Sequence, residues 1–577
     1  MKDFKRLLRY LGPYRKDMLI GGLLIAMETC FELLIPLLMS DLIDVGVAHH
    51  DIFYILYKGG QMGICAVLSL LTGLLYARFA ARAAYGWGAQ IREAQYQQVQ
   101  NYSFSNLDRF DPSSLVTRMT TDVTVLQNAI NGGFRPLVRS PIMVLMGIGL
   151  SFYMNPTLAL VFIVCAPILS LILFGIIRKV GPMYGILQKA VDRLNHVVQE
   201  GLTAIRAVKA FVRGKYEEEQ FQKVNTDLAK TSQNTFRYGV LNLPALQFTM
   251  YLAATLIMWF GGNMTLNGTL QVGDLTGFLS YVLQVMNSLM LLSNAFLLFV
   301  RSLASAHRIV EVLDENVDLV SPPNAITEIP DGSVDFEGVS FQYHANAKAY
   351  ALSHVDLHIK SGQTVGILGG TGSAKSTLVQ LIPRLYDATQ GTVKVGGRDV
   401  REYDLHALRD AVGMILQKNV LFSGTVRENL QWGNPDGDDA TLWEACRIAC
   451  ADEFLKRMPK GLDTDLGQGG VNVSGGQKQR LCIARTLLKH PKILIFDDST
   501  SAVDTATEGN IRAALSALPD MTKIIIAQRI TSVMSTDQII ILEDGKVHAV
   551  GTHEELLAHD PIYQEIYASQ MKGEETP

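Results

Sequence analysis

Thr364-Val365-Gly366-Ile367-Leu368-Gly369-Gly370-Thr371-Gly372-Ser373-Ala374-Lys375-Ser376-Thr377 decides how the C-terminal half of this chain is read. An apolar strand runs into a glycine-rich loop, and the loop ends where a helix begins. That order is what a phosphate cradle requires: backbone N–H groups and the helix start attract anionic oxygens. Lys375 is placed to reach β- and γ-phosphates, and the Ser376 hydroxyl suits magnesium. ATP and Mg2+ are therefore the expected cofactors, with Gly369 to Thr377 as the cradle. Ala374 stands where a glycine is usual before the lysine, which is tolerable if its φ is negative.

Further along, a second apolar strand, Ile493-Leu494-Ile495-Phe496, ends in Asp497, a carboxylate suited to the magnesium shell. Between the two strands lie Gln417 and the run Val473-Ser474-Gly475-Gly476-Gln477. Ser474, Gly475, Gly476 and Gln477 open a helix and make a second anion-binding N-terminus. The chain already has its own phosphate loop, so this second site reads as one offered to another subunit's ATP. Strands and helices alternate throughout this half, which indicates a layered α/β domain.

Upstream the composition changes. The 577 residues suit two or three domains, and 48% of them are hydrophobic, with the excess concentrated before about residue 300. The expected division is a membrane domain over 1–310, an acidic, proline-containing linker over 311–332, and a nucleotide domain over 333–577. A net charge of -4 gives no reason to expect nucleic acid as a partner. Six scattered cysteines lack a second Cys/His pair at zinc-ligand spacing and read as reduced packing residues. The basic, amphipathic first residues do not resemble a cleavable signal peptide.

Six apolar stretches are long enough to cross a lipid bilayer as helices: 19–44, 60–83, 137–155, 157–178, 243–265 and 276–300. Tyr153-Met154-Asn155-Pro156 makes a tight hairpin between the third and fourth. Lys and Arg crowd the N-terminus and the long intervals 84–136 and 179–240, which places these and the C-terminal domain in the cytoplasm. Helical patterning in both intervals implies that the spans continue beyond the bilayer as rods. Polar turns near Ser113–Thr117 and Ala210–Lys215 are candidates for touching a cytoplasmic domain. Glu28 and Glu32 share one face of the first span, and Arg78 lies in the second. Two readings stand open: a polar patch favouring cationic cargo, or a structural Glu–Arg pair between helices.

Taken together, these features resemble the exporter-type ABC transporters over nearly the whole chain. Tyr343, in Ser340-Phe341-Gln342-Tyr343, matches the adenine-stacking aromatic. Gly369 to Thr377 match Walker A, Gln417 the Q-loop, Ser474 to Gln477 the signature, and Ser501-Ala502-Val503-Asp504 the D-loop. The resemblance implies a second half-transporter, each ATP being held between one chain's Walker A and the other's signature. It also assigns magnesium to Ser376, Gln417 and Asp497, and hydrolysis to Asp498, Gln528 and Gln417.

Two departures sharpen that expectation. Asp498 occupies the position of the usual glutamate and falls one methylene short; a misplacement of about 1 Å can cost on the order of 10²-fold in rate. Gln528 stands in place of the usual histidine and cannot carry a positive charge. Gln468 likewise replaces a common glutamate ahead of the signature. The pattern resembles the degenerate-site subunit of a heterodimer that exports drug-like or amphipathic molecules through a bacterial plasma membrane. Alternatives are a slow homodimer, an exporter-fold importer, and an ATP-gated regulator that does not pump.

Overall fold

The structure, a computed structural model, describes residues 2–344, 347–497, 505–518 and 520–571. It divides into two compact units: Met1–Gln100 with Pro112–Glu315, and Asn101–Asp111 with Asn316–Pro577.

The first unit is helical, and among the described residues six helices are long and apolar enough to cross a membrane. We number the long helices α1 (Arg15–Asp41), α2 (Ile52–Gln100), α3 (Val123–Met154), α4 (Pro156–Thr203), α5 (Gly214–Gly239), α6 (Asn242–Leu266) and α7 (Val272–Asp314). At 1.5 Å per residue α2 and α4 are each about 72 Å long, more than twice the hydrocarbon thickness, so the rods expected from the sequence are present. The expected spans fall within these helices, except that the first overruns α1 by three residues and the third overruns α3 by one. The break between α3 and α4 has a local cause. Proline disfavours helical backbone before it, and Asn155 is extended (φ -154°, ψ 112°) while its side chain accepts from Thr157 N and Leu158 N.

Packing between these helices combines apolar contact with buried hydrogen bonds. Leu33, Met143, Phe162, Phe278 and Tyr281 share one core, in which the Tyr281 hydroxyl donates to Leu33 O at 2.7 Å. At the N-terminus the Trp87 indole donates to Leu7 O at 2.9 Å, pinning a short helix, Lys2–Leu7, to α2.

Two expectations need correction here. Glu28 pairs with Arg135 and Glu32 with Arg139, both on α3, and Arg78 is exposed. Tyr76, Ala80, Ala84, Trp87 and Ile91 form the buried face of α2, and two residues of helical rotation turn Arg78 away from it. The polar turn is also displaced. Ser113–Thr117 lies in the helical unit, and the residues that group with the nucleotide unit are Asn101–Asp111 just before it. Within that unit the Tyr386 hydroxyl donates to Asp108 at 2.7 Å, and Ser105 donates to Asp318 at 2.6 Å. The second turn lies between Ile205–Ala210 and α5, with Phe211 and Val212 well exposed.

The second unit is built on two sheets. An antiparallel sheet has the order β2-β1-β4-β5, from β1 (Val334–Phe341), β2 (Leu352–Ile359), β4 (Gln390–Val395) and β5 (Arg398–Asp399). The larger sheet has the order β10-β9-β3-β8-β7-β6 and is parallel except at its β10 edge. Its strands are β3 (Thr364–Leu368), β6 (Val412–Ile415), β7 (Ile493–Asp497), β8 (Thr522–Ile526), β9 (Gln538–Glu543) and β10 (Lys546–Gly551). The unbroken apolar runs follow from burial on both faces. Ile493 and Ile495 of β7 enter one core with Ile524 and Ile526 of β8, while Leu494, Phe496 and Ile525 enter the other.

Candidate nucleotide site

Parallel strands place their carboxyl ends on one edge, where ligands of open α/β sheets bind. Register makes this concrete. Ile367 pairs with Ile526, Ile415 with Phe496, and Asp497 with Ile526. The loop after β3, Gln417 after β6, Asp497 at the end of β7 and Gln528 after β8 are therefore brought to a common edge. A cleft of about 440 Å³ is lined by Gly369, Gly370, Thr371, Gly372, Lys375 and Ser376, with Gln417 and Gln528 among its other walls. A neighbouring cavity of about 540 Å³ is lined by Tyr343 with Gly372, Ser373, Ala374, Lys375, Ser376 and Thr377.

Loop conformation explains two of the residue types. Gly369 has φ +156°, and a Cβ there would lie 2.2 Å from Leu542 O, so no other residue fits. Ala374 has φ 68°, in the left-handed region. The negative φ under which alanine was expected to be harmless is not found, and holding Ala374 there costs roughly 1–2 kcal/mol. The loop closes on its own lysine: Lys375 Nζ donates to Gly369 O at 2.9 Å and Gly370 O at 2.8 Å.

The Ser376 hydroxyl donates to Asp497 Oδ1 at 2.6 Å, and Asp497 is buried. A hydroxyl beside a carboxylate is a donor set suited to Mg2+, which prefers oxygen ligands, keeps several waters and takes others from phosphate. Gln417 is exposed in the same cleft. Among the described residues no group of three or more His, Cys, Asp or Glu could hold a metal by itself. Asp498 and the segment Ser501–Asp504 lie outside the described residues.

Gln528 is exposed at the cleft, and its backbone is held from the C-terminal helix Pro561–Met571. Gln570 Nε2 donates to Gln528 O at 3.0 Å, and Gln570 Oε1 accepts from Ile530 N at 2.7 Å. Gln570 and Ile566 also line the cleft. No local pattern in the sequence marked Gln570, because its contacts lie about forty residues away.

At the other cavity, the Tyr343 hydroxyl lies 2.8 Å from Thr377 Oγ1, and its ring meets Tyr386 edge-on at 5.4 Å. Burial pushes the Tyr386 hydroxyl well above the ordinary tyrosine range, and its bond to Asp108 adds to this, so it remains a donor at neutral pH. Tyr350, Asp544 and Gly545 complete the cavity wall. Tyr350 and Tyr386 were not singled out from the sequence; isolated aromatics outside a motif carry no signal of their own.

Ser474, Gly475, Gly476 and Gln477 line neither cavity. Ser474 caps the helix Gly475–Leu487 through a reciprocal box: its Oγ accepts from Gln477 N at 3.3 Å, and Gln477 Oε1 accepts from Ser474 N at 2.9 Å. Ser474 and Gly475 are exposed. Cys446 and Cys482 are buried nearby as free thiols, and burial pushes Cys446 up to about 12.

Comparison with known proteins places this geometry. Residues 18–289 match the ABC transporter transmembrane region and residues 352–501 match the ABC transporter domain. An uncharacterized ABC transporter ATP-binding protein of Bacillus subtilis is 38% identical over 570 residues, covering 99% of both chains. An ATP-dependent lipid A-core flippase of Desulfotalea psychrophila is 30% identical over 576 residues, covering 98% of this chain and 99% of its own. A bacterial Atm1-family ABC exporter solved with ATP bound shares the fold, with a TM-score of 0.82 at 23% identity over 96% of this chain and 98% of its own.

Proposed function

This chain belongs to the ABC transporters, with the membrane region and the ATP-binding cassette in one multi-pass polypeptide, and on that premise we propose that it is the degenerate-site half of a heterodimeric exporter. The proposed cargo is a drug-like or amphipathic small molecule. One observation carries the division of labour. Lys375, Ser376, Gln417 and Gln528 meet in a single cleft, while Ser474 and Gly475 stand exposed outside it, followed by half-buried Gly476 and Gln477. A chain built this way holds one ATP on its own loop and offers its signature to another.

In this reading the triphosphate lies along Gly369–Thr377, with Tyr343 against the adenine and Lys375 released from the Gly369 and Gly370 carbonyls to the phosphates. Ser376 and Asp497 would hold Mg2+, which supplies charge neutralisation at the β- and γ-phosphates when bound. Asp498 would orient the attacking water and accept its proton from one methylene too far away. Gln528 would donate an amide N–H to a γ-phosphate oxygen without contributing charge. Removing one such electrostatic partner typically costs about 10²–10³-fold in rate, so ATP at this site turns over slowly. Asp504 would contact the opposing chain across the shared nucleotide. The opposing site, completed by Ser474–Gln477 of this chain, would carry most of the hydrolysis.

The deciding experiment is ATPase activity of this chain purified alone and then co-purified with a second half-transporter from the same genome. Weak activity alone and strong activity together is the expected result. Brisk activity alone would make Asp498 a competent base and replace the heterodimer with a homodimer.

A further inference from the structure

A cavity of about 610 Å³ in the helical unit lies between α2, α3 and α7. Among the described residues its charged lining consists of Arg135 and Arg139, with no carboxylate. The partner of Arg135 stands behind it. Glu28 is 5% exposed at its side chain against 41% for Arg135. Gly73 of α2 leaves room for that carboxylate, since a Cβ there would approach Glu28 Oε1 to 3.2 Å. One turn along, Arg139 pairs with Glu32, the two about equally exposed at 24% and 27%.

Each guanidinium has five N–H donors in a rigid fork, and a single contact to a carboxylate leaves the others unused. The cavity therefore combines a net-neutral double pair with guanidinium donors on its wall, beside the neutral polar groups of Asn131, Tyr76 and Tyr85. Arg135 also lies 5.8 Å from the Tyr76 ring centroid, which fixes the plane of its fork. Beside it Ala77, Ala80, Ala81 and Leu291 supply an apolar wall with little bulk. Depth matters as well. Arg135 precedes the end of α3 at Met154 by about 28 Å of helix, close to the full hydrocarbon thickness. With the orientation given by the basic loops, the pair lies toward the cytoplasmic edge of the bilayer.

We propose that this cavity binds the anionic headgroup of an amphiphile, through Arg135 and Arg139, with its chain against the alanine face of α2. The assignment deepens the exporter reading and rests on it only for the name of cargo. The charge it selects is opposite to the one suggested by Glu28 and Glu32 when the sequence is read without their partners. Phosphate, phosphonate or sulfonate headgroups share the required chemistry, and they can arrive on a soluble amphiphile or on a bilayer lipid.

The test uses the full chain, with its partner half-transporter if one is required, in phosphatidylcholine nanodiscs without ATP. Equilibrium binding of radiolabelled dodecyl phosphate is measured with empty discs subtracted. Dodecyl phosphate should bind about tenfold or more tighter than dodecyltrimethylammonium, the scale of one charge-assisted hydrogen bond. Inorganic phosphate alone should not compete. Phosphatidylglycerol added to the disc should compete if the bilayer is a source of the ligand; undiminished binding in its presence supports the soluble source. Glu28→Gln combined with Arg135→Gln removes a pair without stranding a charge, and should abolish most of the preference. Glu32→Gln with Arg139→Gln serves as the second variant should the first fail to fold.

Equal or tighter binding of the cation, or full preference in a folded double variant, overturns the assignment. Competition by inorganic phosphate overturns the amphiphile. Because binding is read without ATP, an exporter that fails to pump leaves the preference intact, whereas a wrong site loses it in a working pump.

Discussion

Lys375 and Arg135 are both cations in cavities, and they are held in opposite ways. Lys375 rests on carbonyl oxygens of its own loop, five and six residues away, while Arg135 is bound to a carboxylate 107 residues away on another helix. Carbonyl acceptors on the lysine's own loop can be exchanged for phosphate oxygens without moving another element of the fold. A carboxylate in a region of low dielectric is not displaced so readily, because separating the pair leaves two unbalanced charges. The difference separates a charge lent to a ligand from a charge kept in the frame. It also accounts for their surroundings: flexible glycines around the lysine, packed helices around the arginine.

Replacing Arg135 with alanine is the strongest challenge to this contrast. It strands Glu28, and loss of about 3 kcal/mol of stability is expected, read as a lowered thermal unfolding midpoint in detergent. The Glu28→Gln/Arg135→Gln double variant should recover most of that loss; a double variant as unstable as the single would mean that packing, not charge, sets the cost. Lys375→Ala should leave the fold intact and lower nucleotide affinity at this chain's own site on the order of 10²-fold, the worth of its charged contacts to phosphate. Photolabelling of this chain by an azido-ATP analogue reads it, and undiminished labelling would erase the distinction.

Smaller effects refine the same picture. Gln570→Ala removes both clips on the Gln528–Ile530 loop, worth about 1 kcal/mol in positioning. Turnover at this chain's own site, read with the chain purified alone, should fall severalfold with KM for ATP nearly unchanged, and Gln570→Glu, which keeps the acceptor for Ile530 N, should recover part of it. A variant that changes KM alone would assign Gln570 to binding. Smallest of all, Ala374→Gly should raise the stability of the nucleotide domain by about 0.5–1 kcal/mol by relieving the left-handed alanine. No change in unfolding midpoint would mean the loop relaxes around Ala374 in solution.

The same division governs what the sequence discloses. The Thr364–Leu368 strand, the loop after it and the Ser474 cap are contiguous, so residue order alone carries their geometry. The six spans are legible because hydrocarbon demands long apolar runs. Arg135 was not matched to Glu28, because it precedes the apolar stretch 137–155 and counts there as one more basic residue of a cytoplasmic interval, whereas Arg139 lies inside that stretch and was overlooked. Arg78 drew attention instead because it sits inside a span, although helical rotation exposes it. Left-handed backbone at Ala374 was open for a similar reason: residue type constrains φ without choosing it. Asp108 and Tyr386 meet across 278 residues, a distance over which no motif operates.

The peg between Trp87 and Leu7 has a consequence for biosynthesis. The Leu7 carbonyl waits for an indole made 80 residues later, with Phe4 against the same ring at 6.0 Å. At ordinary elongation rates that interval is on the order of ten seconds. Through it the N-terminal helix has neither its hydrogen-bond donor nor its aromatic neighbour, and its apolar side is left to the membrane surface. The helix Lys2–Leu7 is thus set only when the second span has emerged, which makes Trp87 a latch closed by the growing chain itself.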